Sequence, residues 1–170
     1  RVVRSVDMYL YAATLHDTAE IARKLSALVR PGDVIVLAGE MGAGKTAFAQ
    51  AVAAALGVTE PVTSPTFNLV HSYDGDGITV HHADLYRLSH TDEIEDLAID
   101  ELARSGAVLV EWGDVGDDLI GDHLEVRIAI GEVDGSRDFS LRSVGRRWDI
   151  RWEKLKTALA DFIVDEWGDA

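Results

Sequence analysis

The stretch that decides the fold is Val34-Ile35-Val36-Leu37-Ala38, followed by Gly39-Glu40-Met41-Gly42-Ala43-Gly44-Lys45-Thr46. Its first five residues are continuously apolar, which is typical of a strand covered on both faces in a parallel sheet. An alanine-rich helix is predicted from Thr46 to Leu56, with Gly57 ending it. A buried strand, a glycine-rich loop and a helix in this order predict an α/β domain built around a phosphate-binding loop.

The glycine-rich loop has the spacing G-x-x-x-x-G-K-T. Gly39, Gly42 and Gly44 allow the backbone to turn its N–H groups inward around a phosphate, and the following helix adds the positive end of its dipole. Lys45 is predicted to contact the β- and γ-phosphates, and the Thr46 hydroxyl to bind Mg²⁺. The loop therefore predicts a site for a nucleoside triphosphate.

Two acidic residues follow other predicted strands. Asp84 comes directly after Ile78–Ala83, and Glu111 comes directly after Val108-Leu109-Val110. Because ligands of open α/β sheets bind at the carboxyl ends of strands, both acids are predicted to lie near the loop and to act on the metal ion or the attacking water. The pattern leaves open which of them binds the metal directly. Thr66, in a loop with two prolines, is predicted either to be a switch threonine that senses the γ-phosphate and Mg²⁺ or to belong to a plain proline turn.

The rest of the chain supplies the remaining elements of the predicted domain. We expect an edge strand at Met8–Ala12, a helix at Asp17–Val29, strands at Asn68–Tyr73 and Ile78–Ala83, helical stretches within Thr91–Arg104, a hairpin of Leu124–Ile130 and Phe139–Leu141 with one solvated face, and an amphipathic helix from Trp148 or Trp152 to Trp167. The predicted fold is a single α/β, P-loop NTPase-like layered domain over residues 1–170. Its central sheet is mainly parallel, with an antiparallel hairpin, flanking helices and a helical extension at 145–170.

Composition and charge exclude several classes of function. Sixteen basic and thirty acidic residues give a net charge of −14, which opposes direct tight binding to a nucleic-acid backbone. Residues 84–122 hold twelve acids and two arginines, so they predict either a solvated face or a docking surface for a basic partner. The absence of cysteine excludes thiolate metal sites and disulfides. No apolar run reaches the roughly 18 residues of a membrane span, and we expect a cytoplasmic protein with no membrane partner.

Several motifs together resemble one known family. Besides the loop they comprise Ser64-Pro65-Thr66-Phe67, His82-Ala83-Asp84-Leu85-Tyr86-Arg87-Leu88 and Val110-Glu111-Trp112, in this order. Their order and spacing resemble the TsaE family, also called YjeE, over roughly Asp17 to Ile130. The resemblance implies a small bacterial ATPase of the P-loop class. It also implies partners of the TsaB and TsaD type, with which the family makes threonylcarbamoyladenosine beside the tRNA anticodon.

The resemblance also implies a role for each matching residue. Lys45 would hold the phosphates and Thr46 would bind Mg²⁺. Asp84 and Glu111 would complete the Mg²⁺ and water site, with Glu111 close to the metal, and Thr66 would sit in the switch loop. The residues implied to contact ATP or ADP are Thr18, near the base, and Gly39, Glu40, Met41, Gly42, Ala43, Gly44, Lys45, Thr46 and Ala47.

Three other functions fit parts of the sequence. A small-molecule kinase needs a basic lid, but only Arg87 and Arg104 lie between Asp84 and Asp122. A GTPase would need a guanine-reading N-K-x-D motif, which is absent, since Asn68 is the only asparagine. A nucleotide-gated binding module with little turnover alone remains open.

A zinc site at His81, His82 and Asp84 is disfavoured, because the sequence offers too few ligands there.

Overall fold

The apolar run at Val34–Ala38 forms the buried middle strand of the sheet. The computed structural model describes residues 7–63, 70–85, 98–111 and 120–167. The strands are β1 (Asp7–Ala12), β2 (Val34–Ala38), β3 (Val70–Asp74), β4 (Thr79–Asp84), β5 (Ala107–Glu111), β6 (His123–Ile130), β7 (Arg137–Val144) and β8 (Ile163–Val164). The helices are α1 (Leu15–Ser26), α2 (Lys45–Ala55), α3 (Ile99–Arg104) and α4 (Trp152–Ala158), with 3-10 turns at Asp149–Arg151 and Ala160–Phe162.

The described strands form one mixed sheet in the order β3-β4-β5-β2-β6-β7-β1-β8. Parallel pairing joins β4 to β5, β5 to β2 and β2 to β6, and the other four pairings are antiparallel. The α/β class is confirmed, but the prediction of a mainly parallel sheet is wrong. Short turns at β3–β4 and β6–β7 force antiparallel pairing, and β1 and β8 then extend the antiparallel half.

Alternate residues of β2 face two separate apolar clusters. Ile35 and Leu37 belong to the larger cluster, which includes the buried faces of α1, α2 and α4. Val34 and Val36 belong to a smaller cluster that includes α3. Because successive strand residues point to opposite faces, helices cover both sides of the middle of the sheet. This double cover explains why the run is continuously apolar instead of alternating.

Two predictions near the ends of the chain are wrong. The first strand does not lie at the edge of the sheet, because β1 pairs with β7 on one side and with β8 on the other. The predicted helix from Trp148 or Trp152 to Trp167 ends at Ala158, and the chain then enters a 3-10 turn and β8. The β-branched residues Ile163 and Val164 favour a strand there, and they pair with the otherwise open backbone of β1.

The β6–β7 hairpin is confirmed, but its outer face is not simply solvated. Glu125 is buried, and its carboxylate lies 3.1 Å from Arg127 and 2.5 Å from Arg142 on the paired strand. Because two arginines pair with its negative charge, the Glu125 carboxylate can be buried at a position where the alternating sequence pattern predicts an exposed side chain. The predicted helix at Thr91–Arg104 is described only as α3, since residues 91–97 lie outside the described residues.

A buried ion pair fastens the C-terminal segment to the start of β2. The Arg151 guanidinium donates to both oxygens of Asp33, at 2.6 and 2.7 Å, and to the Leu28 carbonyl at 2.6 Å. Arg147 donates to the same carboxylate at 2.7 Å. Burial raises the pKa of Asp33, but the bonds from Arg151 and Arg147 and from the Arg30 N–H outweigh it, so the pKa is lowered overall. The Arg151 guanidinium also stacks 4.0 Å from the Trp148 ring centroid.

A buried histidine in β4 predicts a dependence of stability on pH. His81 is held between the hydroxyls of Ser72 and Ser105, at 2.7 and 2.9 Å, and burial lowers its pKa below 6.5. As the pH falls below about 6.5, the unfolded chain takes up a proton that the folded chain resists. The free energy of unfolding should therefore fall between pH 7.5 and 5.5 in urea titrations. His81→Gln should flatten this slope, whereas His16→Gln at an exposed site should keep it. Equal slopes in all three proteins would contradict the assignment.

No described helix has both the length and the apolar character that a bilayer crossing requires.

Candidate functional site

Three adjacent parallel strands bring the predicted site residues to one edge of the sheet. Strand β2 lies beside β5, and β5 lies beside β4, so their carboxyl ends meet. Asp84 and Glu111 are register partners at the last positions of β4 and β5, and Leu37 of β2 is in register with Glu111. The glycine-rich loop leaves β2 two residues further on. Asp84 and Glu111 therefore lie at the edge of the sheet from which the loop leaves.

Backbone geometry requires glycine at two positions of the loop. Gly39 has φ +136°, and a Cβ there would collide with the backbone carbonyl of Ile128 in β6. Gly44 has φ +108° and forms the N-cap of α2. Both angles lie in the region that side chains with a Cβ rarely adopt. The loop therefore lies tightly against β6 and turns directly into α2.

Lys45 is turned back onto the loop that precedes it. The residue is 5% exposed, and its ammonium donates to the carbonyls of Gly39 at 2.8 Å and Glu40 at 2.7 Å. These contacts join the start of the loop, at Gly39 and Glu40, to its end at Lys45. The ammonium is thus fixed inside the loop by groups that an anionic ligand can replace as acceptors.

Thr46, Glu111 and His82 form a hydrogen-bonded chain. The Thr46 hydroxyl donates to Glu111 Oε1 at 2.8 Å, and the other carboxylate oxygen lies 2.5 Å from His82 Nε2. Both Glu111 and His82 are buried, at 2% and 0% exposure. His82 Nδ1 is also buried and has no hydrogen-bond partner within the described residues. The carboxylate is therefore held from both sides, and one of its oxygens faces the start of α2.

The other predicted residues are placed as follows. Glu40, Met41, Gly42 and Ala47 are exposed at the loop edge, and Ala43 is buried. Thr18 lies in α1, which packs against α2, and its Oγ1 is buried without a hydrogen-bond partner in the described part of the chain. Thr18 is not part of the Thr46–Glu111–His82 chain. Thr66 lies outside the described residues. Among the described residues, no three His, Asp or Glu side chains are grouped to hold a metal.

Sequence reasoning missed three residues of this region. Arg137 in β7 donates from Nε to the Ala43 carbonyl at 3.0 Å and so braces the loop from the antiparallel half of the sheet. His82 contacts Glu111, whereas the sequence pattern offered it only as a ligand of a disfavoured zinc site. Trp167 lines a cavity of about 360 Å³ beside the loop, together with Gly39, Glu40, Ala43, Arg127, Ile128, Ala129 and Ile130. Each contact joins residues far apart in the chain, so no local pattern could signal it.

Comparison with known proteins assigns the family. Residues 12–139 match the family model described as threonylcarbamoyl adenosine biosynthesis protein TsaE. The chain belongs to the TsaE family. This TsaE-family chain is 42% identical over 136 residues to the tRNA threonylcarbamoyladenosine biosynthesis protein TsaE of Streptomyces coelicolor, covering 76% of this chain and 92% of the relative. It is 37% identical over 141 residues to the protein of the same name from Bacillus subtilis, covering 82% and 87%.

A solved structure supports the same assignment. The crystal structure of Bacillus subtilis YdiB superposes on this TsaE-family chain with a TM-score of 0.75 and 28% sequence identity. The superposition covers 92% of this chain and 98% of the other. The family resemblance read from the motifs is therefore confirmed over most of the chain, and the segment after residue 139 lies outside the family match.

Proposed function

We propose that this protein is a Mg²⁺-dependent ATPase that supports threonylcarbamoyl modification of the tRNA adenosine next to the anticodon, acting with partners of the TsaB and TsaD type. The observation that carries the ATPase part is the contact between Thr46 and Glu111, because it joins the phosphate loop to an acid of a neighbouring strand. Family membership carries the pathway part. A P-loop NTPase-like layering of the sheet and helices belongs to the same proposal.

In this proposal the loop binds and orients the phosphates. The backbone of Gly39–Gly44 and the N-terminus of α2 surround the γ- and β-phosphates, and Lys45 exchanges its contacts with the Gly39 and Glu40 carbonyls for phosphate oxygens. Hydrolysis then adds water to the γ-phosphorus and breaks its bond to the bridging oxygen of ADP. The loop stabilises the negative charge that develops on the transferred group.

The donor set at the end of β5 fits Mg²⁺. This ion is typically held by one or two carboxylates together with phosphates and water, and the site offers the Thr46 hydroxyl, the Glu111 carboxylate and Asp84 on the adjacent strand. When bound, Mg²⁺ would neutralise charge on the β- and γ-phosphates. His82 would act as a positioning residue, because its Nε2 fixes the Glu111 carboxylate on the side away from Thr46.

The nucleoside would lie on the side of the loop that faces α1 and the antiparallel strands. Thr18 has a buried hydroxyl oxygen without a partner among the described residues, which suits a ligand contact. Arg137 lies at the Ala43 carbonyl, and the cavity lined by Trp167 opens beside the same part of the loop. The full set proposed to contact ATP or ADP remains Thr18 and Gly39 to Ala47.

A nucleotide-gated binding module is the second candidate function. It uses the same phosphate loop and differs from the ATPase only in its turnover. Phosphate release measured with and without TsaB- and TsaD-type proteins separates the two functions. Turnover that stays negligible in both conditions would support the module and contradict the ATPase.

Lys45→Ala tests nucleotide binding. We expect ATP affinity to fall by about 10–100-fold, because charge-assisted contacts to phosphate contribute roughly 1.5–3 kcal/mol. Isothermal titration calorimetry with Mg·ATP measures the change, and urea unfolding checks that the variant folds. Lys154→Ala removes an equal charge at an exposed position of α4 and should leave the affinity unchanged. Wild-type affinity and turnover in Lys45→Ala would contradict the site.

Partner binding should depend on the nucleotide. We expect a TsaB–TsaD-type complex to bind this protein with different affinities in the presence of an ATP analogue, ADP or no nucleotide, because only differential affinity can couple two sites. With a net charge of −14, the isolated protein should show no strong affinity for tRNA at physiological salt. Fluorescence anisotropy titrations measure both. Identical partner affinity in all three states, or tight binding to bare tRNA, would overturn this part of the proposal.

A further inference from the structure

A second cavity lies at the edge of the sheet opposite the phosphate loop. It measures about 360 Å³ and is lined by Arg30, Asp122, Arg146, Arg147, Ile150 and Arg151. Arg30 comes shortly before β2, Asp122 directly precedes β6, and Arg146 follows β7. The cavity therefore surrounds the amino ends of β2 and β6, whereas the phosphate loop leaves the carboxyl end of β2.

Hydrogen bonds hold two of the four arginines, Arg147 and Arg151, in place at the base of the cavity. Asp33 is fully buried and binds Arg151 through both oxygens, while Arg147 donates to the same carboxylate and to the Pro31 carbonyl at 2.9 Å. These bonds fix the two guanidinium planes, so little side-chain entropy remains to be lost on ligand binding.

The other two arginines supply unused donors. Arg30 and Arg146 are exposed, and their guanidinium groups form no hydrogen bond or ion pair with the part of the chain that the structure describes. Asp122, the acidic lining residue, accepts the backbone N–H groups of Arg146 and Arg147 at 3.0 and 3.2 Å. The cavity thus has four arginines against two carboxylates, Asp122 and the buried Asp33, in a protein whose net charge is −14.

We propose that this arginine cavity binds a small anion of the phosphate type. Guanidinium forks match phosphate oxygens in pairs, and the cavity is large enough for one or two phosphate groups. The overall charge of −14 repels an extended polyanion, so a compact ligand is favoured over an RNA backbone. Arg146, Arg147 and Arg151 lie after residue 139, where the match to the family model ends.

Titration of ¹⁵N-labelled wild-type protein with sodium pyrophosphate at low ionic strength tests the proposal. The amides of Gly32, Arg146 and Arg147 should shift along a saturable curve that is separate from the curve of Gly42 and Gly44 in the phosphate loop. Arg30→Gln and Arg146→Gln should each weaken the first curve about tenfold and leave the second unchanged. Arg104→Gln, which removes an exposed charge at the end of α3, should change neither.

Three outcomes would overturn the proposal. The first is the absence of saturable shifts at Gly32, Arg146 and Arg147. The second is an equal loss of affinity in Arg104→Gln, which would indicate a nonspecific effect of charge. The third is much tighter binding of a short single-stranded oligoribonucleotide than of pyrophosphate, which would assign the cavity to an RNA backbone.

Discussion

Glu111→Gln should lower partner-stimulated ATP hydrolysis by about 10²–10³-fold and change ADP affinity much less, on the scale of losing one preorganised charge-stabilising group. The substitution keeps the shape of the side chain and removes the negative charge that faces Thr46. That charge matters most when the transferred group and the attacking water develop their transition-state charges. Single-turnover phosphate release and ADP calorimetry measure the two quantities separately.

Matched variants give this prediction its controls. Glu101→Gln changes an exposed acid in α3 and should leave both quantities at wild-type values. Asp84→Asn distinguishes the two acids. The variant that lacks the direct metal ligand should need a higher Mg²⁺ concentration for its half-maximal rate than the variant that lacks the other acid. Hydrolysis at the wild-type rate in both Glu111→Gln and Asp84→Asn would show that neither acid acts at the site.

Arg151→Ala should reduce the free energy of unfolding by about 3–5 kcal/mol, because it leaves a buried carboxylate without its main partner. Asp33 is fully buried and receives two of its charge-assisted bonds from Arg151. The substitution also removes the guanidinium that stacks on Trp148 and the donor to the Leu28 carbonyl. Urea unfolding followed by circular dichroism measures the loss.

An exposed ion pair supplies the comparison for Arg151. Arg23 pairs with Glu20 at 2.9 Å, but its side chain is 62% exposed, so Arg23→Ala should change stability little. Asp33→Asn combined with Arg151→Met should lose less than the sum of the two single changes, since the unpaired charge is removed with its partner. Additive losses, or equal losses in Arg151→Ala and Arg23→Ala, would contradict a coupled buried pair.

The fold could be predicted where local pattern and burial agree. The continuously apolar runs at Val34–Ala38 and Val108–Val110 predicted two central strands, and the structure confirms both as β2 and β5. The antiparallel half was predicted less well, because its pairings depend on residues far apart in the chain. The two-residue strand β8 has no periodicity to detect, and its partner β1 lies about 150 residues earlier.

The site, too, could be predicted only where a local sequence pattern was sufficient. The spacing of the loop and the acids at strand ends predicted where Lys45, Thr46, Asp84 and Glu111 would lie. The contact between His82 and Glu111 could not be predicted, since it depends on the register of β4 with β5, which places both side chains on the same face of the sheet. The hydrogen bond from Arg137 to the Ala43 carbonyl could not be predicted either. It depends on β7 and β2 belonging to one sheet, which a local sequence pattern does not show.

The position of β1 between β7 and β8 has a consequence for how the protein is made. This strand leaves the ribosome first among the described strands, yet both of its pairing partners belong to the last third of the chain. At about 5–20 residues per second, β1 waits roughly 6–25 s before β7 is synthesised. During that time its apolar residues Met8 and Leu10, buried in the finished protein, have no sheet to join. Strand β1 can therefore join the sheet only late in the synthesis of the chain, after β7 has been made.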